Sequence, residues 1–171
     1  MPHDIIGWTH TIFAIIALIT GSLILINPKG SLFHIRTGTI YVISMIIVCA
    51  SAFLIYRVHK TFGILHFFAI ISTATLIMGM IPMYIRSFKQ PIVSHLSWMY
   101  WSVIGLYCAF AAELFTRLPI ILNIKNNYGV FYLLVGLSTG IVGMTGSWFF
   151  KKKKSYWEVK FRKPQNKLND N

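Results

Sequence analysis

Pro91–Arg117 reads PIVSHLSWMYWSVIGLYCAFAAELFTR, and the reading of this stretch decides the fold. Between His95 and Arg117 the only charged residue is Glu113, near the far end. A run of that length crosses the roughly 30 Å hydrocarbon core of a bilayer as a helix. Steps of four and three from the histidine trace one helical face: His95, Met99, Ser102, Leu106, Ala109 and Glu113. The eighteen steps from His95 to Glu113 rise roughly 27 Å, so one stripe carries a titratable group near each membrane surface. Ionisable groups at membrane depth face other helices rather than lipid. The stripe therefore predicts an inward face, and the remaining helices must supply what meets it.

Five charge-free stretches are long enough to span: Ile5–Ile26, Thr37–Tyr56, Thr61–Ile85, Gln90–Ala112 and Asn126–Phe150. The chain has 171 residues, 56% of them hydrophobic and 12% charged. The five spans fill it and leave no room for a separate soluble domain. The expected fold is all-α: a polytopic membrane protein with a four-helix up-down bundle and a fifth transmembrane helix. The helices are expected at about 5–26, 32–56, 61–85, 91–115 and 127–150, with 151–171 as a basic cytoplasmic tail. The first stretch reads as a span rather than a cleaved leader. No basic residue precedes it, its apolar run is too long, and Asn27-Pro28-Lys29-Gly30 is a turn rather than a cleavage site.

The formal net charge is +12. Half of the 16 basic residues come after Phe150: Lys151 to Lys154, Lys160, Arg162, Lys163 and Lys167. A basic run directly after a membrane helix matches anionic lipid headgroups and the positive-inside rule. The expected partners of the tail are therefore anionic lipids, and nucleic acid is not among them. The tail puts the C-terminus in the cytoplasm, and five crossings then put the N-terminus outside. Cys49 and Cys108 lie mid-helix and read as small buried apolar residues.

Each of the first four helices carries a histidine on a stripe of small or mixed residues. The first three stripes are Gly7, His10, Ala14, Ala17, Gly21; His34, Gly38, Tyr41, Met45, Val48, Ala52; and Gly63, His66, Ile70, Thr73, Ile77, Met80. The fourth runs from His95 to Glu113. Up-down connectivity sorts the histidines into two levels, His10 with His66 outside and His34 with His95 inside. Each level then has two imidazoles on diagonal helices. Paired imidazoles are what a six-coordinate haem needs. Gly7, Ala14, Gly38 and Gly63 would give it clearance, Tyr41, Met45 and Met99 would flank it, and Arg36 would pair with its propionates. No CxxCH attachment site is present, so the haem would be b-type. The other metal reading uses His3, His10, His59, His66 and Glu113, a donor set suited to zinc, copper or non-haem iron. Glu113 is a candidate proton carrier or an i,i+4 partner of Arg117. The bland reading leaves the histidines as interface residues. The fifth helix has no histidine and no acid. Its stripe of Gly136, Gly140, Gly143 and Ser147 is a packing face for the bundle or a second copy. Pro119 is expected to interrupt the segment Thr116–Lys125, which would lie at the interface.

SLFHIRTGTIYVISM and SHLSWMYWSVIGLYCAF carry the motifs H-x-R-x-G-x-x-Y (His34–Tyr41) and H-x-x-W-M (His95–Met99). With the helices bearing His10 and His66, the chain resembles over Ile5–Leu118 the bacterial membrane family known as domain of unknown function 2306. Members usually have a second basic residue directly after the motif histidine. Here Ile35 stands there, leaving Arg36 as the only cation. The resemblance implies a bacterial inner (cell) membrane but no settled activity. The helix count and paired histidines are also similar in architecture to two-haem transmembrane b-type cytochromes that oxidise ascorbate or quinol. The favoured expectation is a transmembrane electron-transfer protein with His10/His66 and His34/His95 as axial pairs, exchanging electrons with quinone or a partner oxidoreductase. The alternatives are a transporter or sensor with a metal or small ligand near Glu113, and a non-catalytic subunit docking another membrane protein through the fifth helix. No nucleotide loop, nucleophile elbow or HExxH motif supports a hydrolase or an ATPase.

Overall fold

The computed structural model describes residues 5–55, 63–85, 88–121 and 128–161, the side chains of 116–121 and 128 excepted. His3 and His59 of the metal reading lie outside the described residues, as do Arg162, Lys163 and Lys167 of the tail. Five helices form: α1 Ile5–Ile26, α2 Leu32–Leu54, α3 Ile64–Tyr84, α4 Pro91–Ile121 and α5 Tyr128–Phe161. All five are long and apolar enough to cross a membrane. The chain is an all-α, polytopic membrane protein. Short connections make successive helices antiparallel. α1 packs on α2, α2 on α3, α3 on α4, and α1 more lightly on α4. Among the described residues the backbones of the diagonal pairs, α1–α3 and α2–α4, do not touch. This is the up-down bundle expected, with α5 added against α4.

Lipid tails are as apolar as leucine, so inward faces are chosen by close packing rather than by hydrophobicity. α1 turns Gly7, Ala17, Gly21 and Ile24 inward and leaves Ile12, Ile15 and Ile19 exposed. α2 buries Tyr41, Met45 and Val48, and α4 buries Met99, Ser102 and Leu106, along the expected stripes. α3 differs. Its buried face is His66, Ala69, Ser72, Leu76, Gly79 and Pro82, while Ile70 and Ile77 of the expected stripe are exposed. The helix has turned so that small residues meet its neighbours and the isoleucines meet lipid. Hydroxyls at membrane depth bond locally, as Thr20 does to the Ile16 carbonyl (2.7 Å) and Thr73 to that of Ala69 (2.8 Å), which leaves little polarity unmet.

Two close approaches shape the bundle centre. A Cβ on Gly21 would lie 3.1 Å from the Tyr41 ring and 3.2 Å from Val103, so the glycine admits the tyrosine between the helices. A Cβ on Gly79 would lie 2.7 Å from Met99 Sδ and 3.3 Å from the Met99 amide nitrogen, so α3 touches the backbone of α4 there.

Helix ends also differ from expectation. α4 continues through Pro119 to Ile121, so 116–121 is helix and not a separate interfacial segment. A proline this near the C-terminal end removes only one helical bond. Residues 122–127 lie outside the described residues. α5 does not end at Phe150. It runs unbroken through Lys151–Lys154 to Phe161, about 51 Å in all. It meets α4 through Gly146, where Tyr100 Oη donates to the carbonyl at 2.8 Å, and through Trp157, which is buried with Leu96 and Tyr100. At Gly136, Gly140 and Gly143 a Cβ would meet nothing within 4 Å. The expected small stripe is therefore not the face of α5 that packs tightly on the bundle.

Candidate functional site

The bundle has a lysine end, with Lys29 and Lys151–Lys154, and a glutamate end, with Glu113. The four histidines fall into two pairs along this axis, each pair lining one cavity. The core between the cavities contains Ala17, Tyr41, Cys49, Leu76 and Val103. Tyr41 Oη and Ser102 Oγ, both from completely buried residues, are hydrogen-bonded at 2.9 Å. This bond bolts the diagonal helices α2 and α4 together. Tyr41 lines neither cavity, so it is a core bolt rather than a flank of the site.

The lysine-end cavity has a volume of about 540 Å³ and is walled mainly by apolar side chains, with His34 and His95 among them. That volume lies within the 300–1,000 Å³ usual for ligand sites. His95 Nδ1 is 2.7 Å from the Gly79 carbonyl oxygen. A carbonyl only accepts, so Nδ1 carries the proton and Nε2 keeps its lone pair. Backbone orientation of this kind is what metal-binding imidazoles usually have. His34 stands in the first turn of α2, where Ser31 caps the helix by accepting from the His34 amide at 3.1 Å. Among the described residues no group hydrogen-bonds to His34 Nδ1, although the atom is buried. Gly38 opens the wall, since a Cβ there would meet nothing within 4 Å. Met99 lines the cavity as expected, but Arg36 is exposed and does not; Lys29 is the cation at its wall. Trp157 and Phe161 of α5 close it.

The glutamate-end cavity is smaller, about 150 Å³, and His10, His66, Ala14, Met45 and Glu113 line it. His10 Nδ1 is 3.0 Å from Ser51 Oγ, whose own proton goes to the Ile47 carbonyl at 2.7 Å. The serine therefore accepts, and His10 keeps a lone pair on Nε2. His66 is arranged the opposite way. Its Nδ1 accepts from the Gly63 amide at 3.2 Å, capping α3, so the proton of the neutral ring is on Nε2.

The expected cofactors can be set against this geometry. The residues of the lysine-end cavity do not oppose a porphyrin: its volume is large enough for a flat ring, His95 keeps a lone pair, and His34 Nδ1 is unmet among the described residues. The glutamate-end cavity does not fit. Its volume is that of a benzene-sized guest, and the bond from Gly63 gives His66 an N–H where iron needs a lone pair. Among the described residues no three of His, Cys, Asp or Glu are grouped to hold a metal ion. A metal held by protein donors alone needs three or four, whereas a porphyrin brings four nitrogens and needs only one or two from the protein.

Lys29, Ser51, Gly79 and Trp157 were not legible as site residues. Only Trp157 left a signal: Lys151–Phe161 contains no glycine or proline, and Trp157 and Phe161 share a face at i,i+4. No family model, no curated protein and no solved structure matches the chain.

Proposed function

We propose that the chain is a transmembrane electron-transfer protein that holds one b-type haem in the lysine-end cavity between His34 and His95. The observation that carries this is the shared cavity itself, about 540 Å³, with His95 fixed by Gly79 so that a lone pair is available. Haem, when bound, takes up and passes on single electrons. The chain's residues would hold and insulate it: His34 and His95 as imidazole ligands, the apolar wall to exclude water, and Lys29 as the cation in place of Arg36. The lysine end lies in the cytoplasm by the positive-inside rule, in the inner membrane of a bacterium. Quinone or a partner oxidoreductase is the exchange partner. The test is a dithionite-reduced minus oxidised visible spectrum of the purified protein from haem-supplied cells. A bis-imidazole α-band supports the reading, and a flat spectrum refutes it.

A second reading concerns the glutamate end. His10 offers an acceptor and His66 a donor in one small cavity beside Glu113. This suits a small ring or polar ligand with both a donor and an acceptor, as a transporter or sensor would bind. Glu113 is then the proton carrier. Loss of ligand binding in His10→Ala and His66→Ala, with haem content unchanged, is the result this reading requires.

A further inference from the structure

The last turn of α1 has carbonyls that no helical N–H reaches. Two lysines meet them. Lys29 Nζ donates to the Ile24 carbonyl and to that of Asn27 (3.2 Å), and Lys153 Nζ of α5 donates to the Leu25 carbonyl at 3.3 Å. Cations are favoured at a helix C-terminus. Here, however, two ammonium groups are held near one another at a partly buried place. Burial first, and Lys153 second, bring the Lys29 pKa down to about 8. Such a pair favours an anion.

A cavity of about 380 Å³ lies between these lysines and the final turns of α5, and Lys152, Lys160, Tyr156 and Trp157 also line it. Among the described residues no carboxylate lines it. Among the described residues Glu158 is turned to Lys154 (3.7 Å), and Glu113 is at the other end of the bundle. An ammonium has three N–H groups. Among the described residues Lys29 uses two on carbonyls, Lys153 uses one, and Lys160 uses one on Tyr156 Oη at 3.1 Å. N–H donors from three lysines and the Tyr156 hydroxyl proton therefore remain for a guest. The cavity is at the ends of spanning helices, and buried Trp157 forms part of its wall, which is the depth of a lipid headgroup rather than of bulk solution.

We propose that this pocket binds the phosphate of an anionic phospholipid, held by Lys29, Lys153 and Lys160, with the glycerol against Trp157. The site shares Lys29 and Trp157 with the wall of the lysine-end cavity, whereas Lys153 and Lys160 line this pocket and not that cavity. It narrows the lipid contact expected of a whole basic tail to one built pocket.

The test is native mass spectrometry of the full chain in neutral detergent, titrated with phosphatidylglycerol and separately with phosphatidylcholine. Phosphatidylglycerol should bind more tightly. Lys153→Gln and Lys160→Gln should each weaken it roughly fivefold, the effect of one lysine at a membrane surface, and leave phosphatidylcholine unchanged. Lys160 is on the helix surface, so its variant does not depend on refolding of the α1 end. Lys154→Gln, whose ammonium faces Glu158, should change nothing. Equal phosphatidylglycerol binding by wild type and both variants, or an equal loss in Lys154→Gln, overturns the site. Displacement of the lipid by millimolar inorganic phosphate overturns the lipid assignment in favour of a soluble phosphate.

Discussion

His95 Nδ1 donates to the Gly79 carbonyl across 2.7 Å, and this bond leaves the lone pair on Nε2 of an imidazole that lines the lysine-end cavity. It exists because Gly79 lets α3 come against the α4 backbone. In Gly79→Val the side chain would overlap Met99, whose sulfur is already 2.7 Å from a Cβ and whose backbone nitrogen is at 3.3 Å. The helices must part and the bond to His95 is lost. Loss of such an orienting partner weakens a metal site about 10–100-fold. Haem titration of the purified apoprotein should show that drop, with His34 and His95 both still present.

Tyr41 separates core from site. Tyr41→Phe removes the hydroxyl that bonds to fully buried Ser102. The expected cost is about 1 kcal/mol, read as a lower melting temperature in detergent. Haem content should not change, because Tyr41 lines neither cavity.

The two faces of α5 should respond oppositely. Gly146 packs on Ile104, 2.8 Å from where a Cβ would stand, so Gly146→Leu overpacks the α4 contact and should cost about 1–3 kcal/mol. Gly140 faces open space. Gly140→Leu should leave the melting temperature unchanged, and any effect should appear only as release of a partner or a second copy in pull-down or size analysis.

Lys29 gives a pH dependence with a definite sign. Its pKa is lowered from 10.5 to about 8 in the folded chain. Between these values the unfolded state binds more protons, so stability rises with pH across that window. Below about pH 8 the cost of charging the folded lysine is present in full. The wild type should therefore gain melting temperature between pH 8 and 10 relative to Lys29→Gln. Phosphatidylglycerol, by holding the charged form, should flatten that difference.

The fold was legible because its signals are long-range and redundant. Five charge-free runs fix the helix count, and the stripes through His10, His34 and His95 identify the inward faces of three helices within one residue. The α3 face was misplaced because the stripe was traced from His66 by spacing alone, through Ile70 and Ile77, whereas in lipid the small residues Ala69, Ser72 and Gly79 make the better contact. The pairing of the histidines came from direction and depth alone. Which pair could hold a cofactor did not, because that depends on hydrogen-bond polarity: a carbonyl at His95 and an amide at His66. Nor did the return of Trp157 and Phe161 over the lysine-end cavity, since a run of lysines reads as the end of a span when the helix in fact continues.

The most direct test of the central claim is the haem count per chain by pyridine haemochrome, in the wild type and in four single histidine-to-alanine variants. One haem per chain is expected, lost in His34→Ala and His95→Ala and kept in His10→Ala and His66→Ala. Two haems per chain with one lost at each level, or haem retained when either His34 or His95 is removed, would contradict it.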